Sequence, residues 1–170
     1  ILKSQSTIIH HTGQDNKLLA YPYGEYNHDI KELSEELGFI GFAQNSGAIG
    51  FDSDFLALPR FPLASIYANL DTAKVKFGTK AFSVKQLSPL SPVTSDERPT
   101  ASLMFSPGDY RLEQIACFSN GQVMDMSWSD AEKGMLTIRP KADLSERRSR
   151  YICTAPDVGS DQFFWHSVQW

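Results

Sequence analysis

The chain has 170 residues, 41% hydrophobic and 12% aromatic, enough for one ordinary domain or two small ones and unlike a disordered or collagenous chain. A net charge of −4 without a large basic block argues against nucleic acid as a partner. The longest apolar runs fall far short of the roughly 20 residues a membrane span requires, so no transmembrane segment is expected.

Ile1 to Gln5 reads as a helix entered midway, because no capping residue precedes it. The N-terminus is therefore expected to be a cut boundary, and the missing signal peptide says nothing about export. Leu2, Gln5, Ile8, Ile9 and Thr12 keep a helical spacing, and Gly13 can end that helix. Lys17 to Tyr21 reads as a buried strand that Pro22 stops, since proline cannot donate to a ladder. Asn27 suits the N-cap of a second helix and Asp29 its first turn. Ile30, Leu33 and Leu37 make one apolar stripe, Gly38 marks the end, and Phe39 to Ala43 is a second strand. Helix, strand, helix, strand is the alternation of a parallel α/β sheet. Two strands cannot complete such a sheet, because its faces must be covered. This portion is thus expected to be part of a larger α/β layer or barrel.

Asn45 to Asp54 is loop-like, and Leu56 to Leu63 is apolar but broken by Pro59 and Pro62. Asp71 is placed to cap a short helix running to about Thr79. Residues 1–88 are assigned to the α/β part, 89–99 to a linker carrying Pro89, Pro92 and Pro99, and 100–170 to an antiparallel β-sandwich. Short alternating runs support the last assignment: Thr100–Phe105, Leu112–Phe118, Val123–Trp128, Met135–Pro140, Tyr151–Ala155 and Phe163–Trp170. Cys117 and Cys153 are the two cysteines; with no Cys-x-x-Cys they do not make a zinc site. Tyr151 stands two residues before Cys153 and Trp128 lies between the cysteines, an arrangement found in immunoglobulin-like domains. The cysteines are 36 residues apart, closer than in antibody domains, so a disulfide and two separate buried thiols both remain open.

The stretch from Tyr21 to Tyr26 is the candidate site. Pro22 fixes φ near about −65° and Gly24 permits a positive φ, so the Tyr23 N–H could point into a cleft at a strand end. Such a donor suits an amide-hydrolysis oxyanion. A plain strand-to-helix turn with aromatic packing fits the same residues. Other chemistry is sparse. His10 and His11 are adjacent on a helix and diverge by about 100°. His28 and His166 lack ligand-spaced partners, Asp52 and Asp54 form an acidic loop, and no Gly-x-Ser-x-Gly occurs. Arg147, Arg148 and Arg150 read as a charged loop tip that an acidic glycan could contact. Phe163 and Trp165 share one strand face and Phe164 takes the other, so at least one set is core.

Tyr21-Pro22-Tyr23-Gly24-Glu25-Tyr26, the helix to Leu37, Gly38-Phe39 and Phe42-Ala43 together resemble the NodB-homology polysaccharide deacetylases. Leu58-Pro59-Arg60 is similar to one branch of them, and Arg150 to Pro156 resembles a β-domain appended to some members. The resemblance covers roughly residues 1–65. It implies the C-terminal units of a NodB-type barrel followed by an immunoglobulin-like sandwich, in an exported protein. The implied activity is metal-dependent hydrolysis of N-acetyl groups on a polysaccharide. A divalent metal, zinc or similar, would be held by an Asp and two His in the N-terminal half of the catalytic domain, outside this chain. Tyr23 would give a backbone oxyanion donor, and Pro22, Tyr21 and Tyr26 would contact substrate. The family's arginine position holds Ala20, and Arg60 is the candidate to orient the catalytic Asp in its stead. Neither Thr-Phe-Asp-Asp-Gly, His-x-x-x-His nor the late Leu-x-His element occurs. The competing expectation is a non-catalytic carbohydrate-binding or interaction module.

Overall fold

The computed structural model describes residues 1–144 and 147–170. The architecture is mixed α/β and mostly β, with few helices and several sheets. Helix α1 (Leu2–Thr12) ends at Gly13, strand β1 (Leu18–Ala20) follows, then a one-turn helix Pro22–Gly24. Helix α2 (His28–Glu36) starts where Asn27 accepts a hydrogen bond from the Ile30 N–H and carries Asp29 in its first turn. Strand β2 (Ile40–Phe42) lies parallel to β1, and Leu58 extends the pairing as a parallel bridge to Phe42. The expected helix–strand alternation is therefore present.

Its outer faces are uncovered. Leu2, Ile8 and Ile9 on α1, Leu18 on β1, and Ile30 and Leu33 on α2 are all exposed. The Ile30–Leu33–Leu37 stripe exists in the sequence, but its first two residues stay exposed. Helix α3 (Leu70–Phe77) is capped by Asn69, which accepts from the Thr72 N–H; Asp71, expected as the cap, sits in the first turn.

The β-region begins earlier than residue 100. Strand β3 (Lys80–Ala81) pairs with a C-terminal strand, and β4 (Val84–Ser88) pairs with β5 (Ala101–Phe105). Segment 89–99 thus joins two neighbouring strands of one sheet, rather than linking two domains. The remaining strands are β6 (Ala116–Ser119), β7 (Gln122–Val123), β8 (Asp125–Asp130), β9 (Met135–Arg139), β10 (Arg150–Pro156) and β11 (Phe163–Gln169). One sheet has the order β3-β11-β10-β6-β7 and the other β4-β5-β9-β8. All pairs are antiparallel except β3 with β11. Leu112–Gln114, expected as strand, is a single 3-10 turn leading into β6.

Both sheets contribute to one core. Ala101, Leu103, Phe105, Leu136 and Ile138 from one meet Cys117, Tyr151, Cys153, Ala155, Phe164 and Val168 from the other. Alternation explains this, because every second residue of a strand faces inward. Phe82, Phe105, Tyr110 and Phe164 pack ring to ring, with centroids 4.8–5.4 Å apart. Phe163 is left outside, and Trp170 packs against Tyr151.

Cys117 and Cys153 form a disulfide. They are directly opposite one another on adjacent strands of the same sheet, with Cα atoms 4.1 Å apart. An immunoglobulin disulfide ties two sheets together, so this one departs from that pattern. The Tyr151 hydroxyl donates to Pro99 O at 2.7 Å, just ahead of β5. A tyrosine corner bonds back only a few residues, so Tyr151 instead pins the segment that enters β5 of the other sheet to the central strand β10. Trp128 is half-buried against the core.

Candidate functional site

Strands β1 and β2 and the Leu58 bridge run parallel, so their C-terminal ends open in one direction. Ligand sites of α/β layers form at that end. The Pro22–Gly24 turn follows β1 there, and Arg60 stands two residues beyond Leu58. Tyr23 adopts φ 57° and ψ 10°, a left-handed conformation that a non-glycine residue takes only when its surroundings impose it. The fixing groups are visible. Pro22 presets the preceding φ, the Gly24 N–H donates to Tyr21 O at 2.8 Å, and the Glu25 N–H donates to Pro22 O at 3.1 Å. As the second residue of a one-turn helix, Tyr23 has no intrahelical acceptor for its N–H. Its ring is 67% exposed.

Tyr21 is 3% exposed, and its hydroxyl donates to Leu56 O at 2.8 Å. It is committed to packing, which removes it as the expected substrate contact. Its ring lies 4.9 Å from that of Tyr26. Burial, with smaller contributions from Asp54 and Tyr21, raises the Tyr26 phenol well above its ordinary range, so it stays protonated. Pro22 is exposed beside Tyr23. Arg60 donates from Nε to Ala43 O at 3.0 Å, and its N–H donates to Asn45 O at 2.9 Å. These bonds tie Arg60 to the strand end that carries the Tyr23 turn, although no hydrogen bond joins Arg60 to Tyr23.

The structure adds groups that local sequence did not place here. The Arg148 guanidinium sits 5.0 Å from the Tyr23 ring centroid, in cation–π geometry. Arg147 Nη2 donates to Glu25 Oε2 at 2.9 Å. Arg148 Nε lies 3.1 Å from Glu25 Oε1, close enough to attract it but not aligned as a hydrogen bond. Gln169 Nε2 donates to Gly24 O at 2.6 Å, which anchors the turn to β11. Together Tyr23, Gln44, Asn45, Arg148, Arg150 and Gln169 surround a concavity of about 350 Å³. These partners stand 122 residues from Glu25 and 145 from Gly24 in sequence, so only tertiary folding reveals them.

A larger cavity of about 550 Å³ lies between the α/β portion and the sheets, walled in part by Tyr26, Asp52, Asp54, Trp165 and His166. Trp165 Nε1 donates to Ser46 Oγ at 3.1 Å, and its ring meets Phe61 edge-on. Asp52 accepts from Ser83 Oγ at 2.6 Å and Asp54 pairs with Lys31, so the acidic loop is spent on structural contacts.

The donor set does not fit the metal that the family resemblance implies. His10 and His11 face each other edge-on from α1, His28 pairs with Glu32, and His166 is walled into the large cavity. Among the described residues, no three His, Cys, Asp or Glu side chains converge into a metal-holding group. Nor, among them, is any helix long and apolar enough to cross a membrane. Compared with known proteins, the chain matches no family model and no curated protein.

Proposed function

We propose that this chain is the C-terminal part of a NodB-homology polysaccharide deacetylase, exported, whose parent hydrolyses N-acetyl amide bonds of a glycan. The observation that carries this reading is the Tyr23 main chain, held left-handed at a parallel strand end with its N–H unclaimed among the described residues. When water adds to the acetyl carbonyl carbon, the carbonyl oxygen gains the negative charge. The Tyr23 N–H is the group in this chain suited to donate to it, and removing one such donor costs about 3 kcal/mol of transition-state stabilisation. The C–N bond then breaks and the sugar amine leaves with a proton. Arg60, tied to Ala43 and Asn45, would orient a carboxylate supplied from outside these residues.

Several features support the reading. The uncovered apolar faces of α1, β1 and α2 are what the last units of a larger α/β barrel would present before its other strands pack on them. The two sheets are read as the appended β-domain, immunoglobulin-like in form apart from the within-sheet disulfide and the long-range Tyr151 bond. The disulfide fits an oxidising, exported compartment. The divalent metal and the catalytic acid and base belong to the missing N-terminal half of the domain, and no step through them is derived from these residues.

The test compares amine release from N-acetylglucosamine oligomers, with added zinc or cobalt, by the 170 residues alone and by a chain extended upstream through its own reading frame. The extended chain should turn over and the short one should not. In the extended chain Tyr23→Gly, which keeps both the N–H and the φ, should retain most of the rate. Turnover by the short chain would contradict the division of labour, and an inactive extended chain would contradict the enzyme class. A second reading, a non-catalytic carbohydrate-binding module, is favoured by one feature, the Trp165 ring lining the large cavity. Glycan binding lost on Trp165→Ala, with no turnover in either chain, would select it.

A further inference from the structure

Beside Tyr23 the charges do not balance. Among the described residues one carboxylate, Glu25, faces two guanidinium groups, Arg147 and Arg148. Each guanidinium carries five N–H donors in a planar fork, and Glu25 occupies few of them. Arg150 lines the same concavity and adds a further cation. Glu25 therefore orients the pair without neutralising it, and donors remain for an incoming anion.

Two amide side chains also line the concavity. Gln169 spends its amide nitrogen on Gly24 O, and Asn45 directs its own to Ser167 O at 3.3 Å. Their oxygens, Gln169 Oε1 and Asn45 Oδ1, are buried and accept no hydrogen bond among the described residues. Both oxygens are enclosed by protein, so they belong to the packing beneath the concavity and do not face a ligand in it. The concavity of about 350 Å³ has the size of a small-ligand site, and the exposed Tyr23 ring gives it a stacking wall. Its lining brings the cationic forks of Arg148 and Arg150 beside the aromatic ring of Tyr23.

We propose that this concavity is a carbohydrate subsite that takes a sugar bearing a carboxylate, beside the N-acetylated residue being processed. It rests on the deacetylase reading for its place along the glycan, but not for its binding chemistry. The carboxylate pairs in plane with the guanidinium forks of Arg148 and Arg150. The sugar ring packs on the exposed part of Tyr23.

Calorimetric titration of the 170-residue chain with a galacturonate tetramer, an N-acetylglucosamine tetramer and inorganic sulfate tests this without any turnover. The galacturonate tetramer should bind at least about tenfold more tightly than either competitor, and more weakly as salt is raised. Arg148→Ala and Arg150→Ala should each weaken it by about tenfold, while Lys3→Ala, a charge loss on remote α1, should not. Equal affinity for the neutral tetramer overturns the proposal. So does equal affinity for sulfate, or an affinity indifferent to both arginines. The wild-type comparison stands even if a variant misfolds. Deacetylation by the extended chain with no uronate binding would sink the subsite alone. Uronate binding with an inactive extended chain would sink the deacetylase reading alone.

Discussion

Gly24 and Gly38 both hold positive φ, 72° and 74°, but their surroundings differ. A Cβ on Gly24 would lie 2.6 Å from Gln44 Cβ and 2.7 Å from Gln44 N, whereas one on Gly38 would meet nothing within 4 Å. Gly38→Ala should therefore cost only the left-handed penalty, about 1 kcal/mol. Gly24→Ala adds a backbone clash and should cost at least about 2 kcal/mol more than that, with the Tyr23 turn displaced from β11. Denaturant midpoints of the two variants decide it: equal losses would mean the turn is free to move off Gln44. The contrast also separates two uses of glycine that look alike in sequence. At Gly38 the residue only lets the chain leave α2. At Gly24 it lets the turn approach the chain after β2, which sets where the Tyr23 N–H points. Neighbouring Tyr23 bears the same kind of strain without glycine's licence, at a cost on the order of 1–2 kcal/mol that the surrounding bonds must offset.

The β-region is tied together by two devices of different range. Tyr151 reaches from β10 to Pro99, and Cys117–Cys153 joins β6 to β10 rung to rung. Closing a loop of 36 residues removes unfolded-state entropy worth about 4 kcal/mol in the loop-closure account. Reduction, or Cys117→Ala with Cys153→Ala, should lower unfolding stability by about that much, measured by denaturant melts with and without reductant. A loss below about 1 kcal/mol would show that the strand ladder alone already restricts the unfolded chain. Much of this region was legible because inward residues alternate: Ala101, Leu103 and Phe105, then Leu136 and Ile138, then Tyr151, Cys153 and Ala155. β3 and β4 were not. Lys80–Ala81 is too short to show a period, and its partners, Phe164 and Trp165, lie near the far end of the chain. The prolines at 89, 92 and 99 suggested a linker, but they occupy a long connection between paired strands. The candidate site divides the same way. Pro22-Tyr23-Gly24 announces a shaped turn locally, while Arg147, Arg148 and Gln169 join it only through tertiary packing, which leaves no pattern to read.

Across the whole molecule, the α/β portion meets the β-region through a polar seam along β11. Asn45 and Ser46 bond to Trp165 and Ser167 there, and the cavity of about 550 Å³ lies beside them. His166 belongs to this seam. Its Nε2 is buried and has no hydrogen-bond partner among the described residues, and burial pushes the imidazole from 6.5 down to about 4. The folded protein therefore keeps His166 neutral until about pH 4, whereas the unfolded chain takes up a proton near pH 6.5. Between those values the unfolded state binds more protons, so stability falls as pH falls. The stabilising contribution is complete above about pH 6.5 and is lost progressively down to about pH 4, below which both states are protonated. The full loss is at most about 3 kcal/mol. Urea unfolding at intervals from neutral pH to pH 4 should show this decline, and His166→Gln, which cannot take up a proton, should flatten it. The other histidines lie elsewhere, His10 and His11 on α1 and His28 beside Glu32, so the difference between wild type and variant isolates the seam. Parallel slopes for the two proteins would mean that water or Asp52 and Asp54 across the cavity already solvate the imidazolium, and that the seam is open rather than dry.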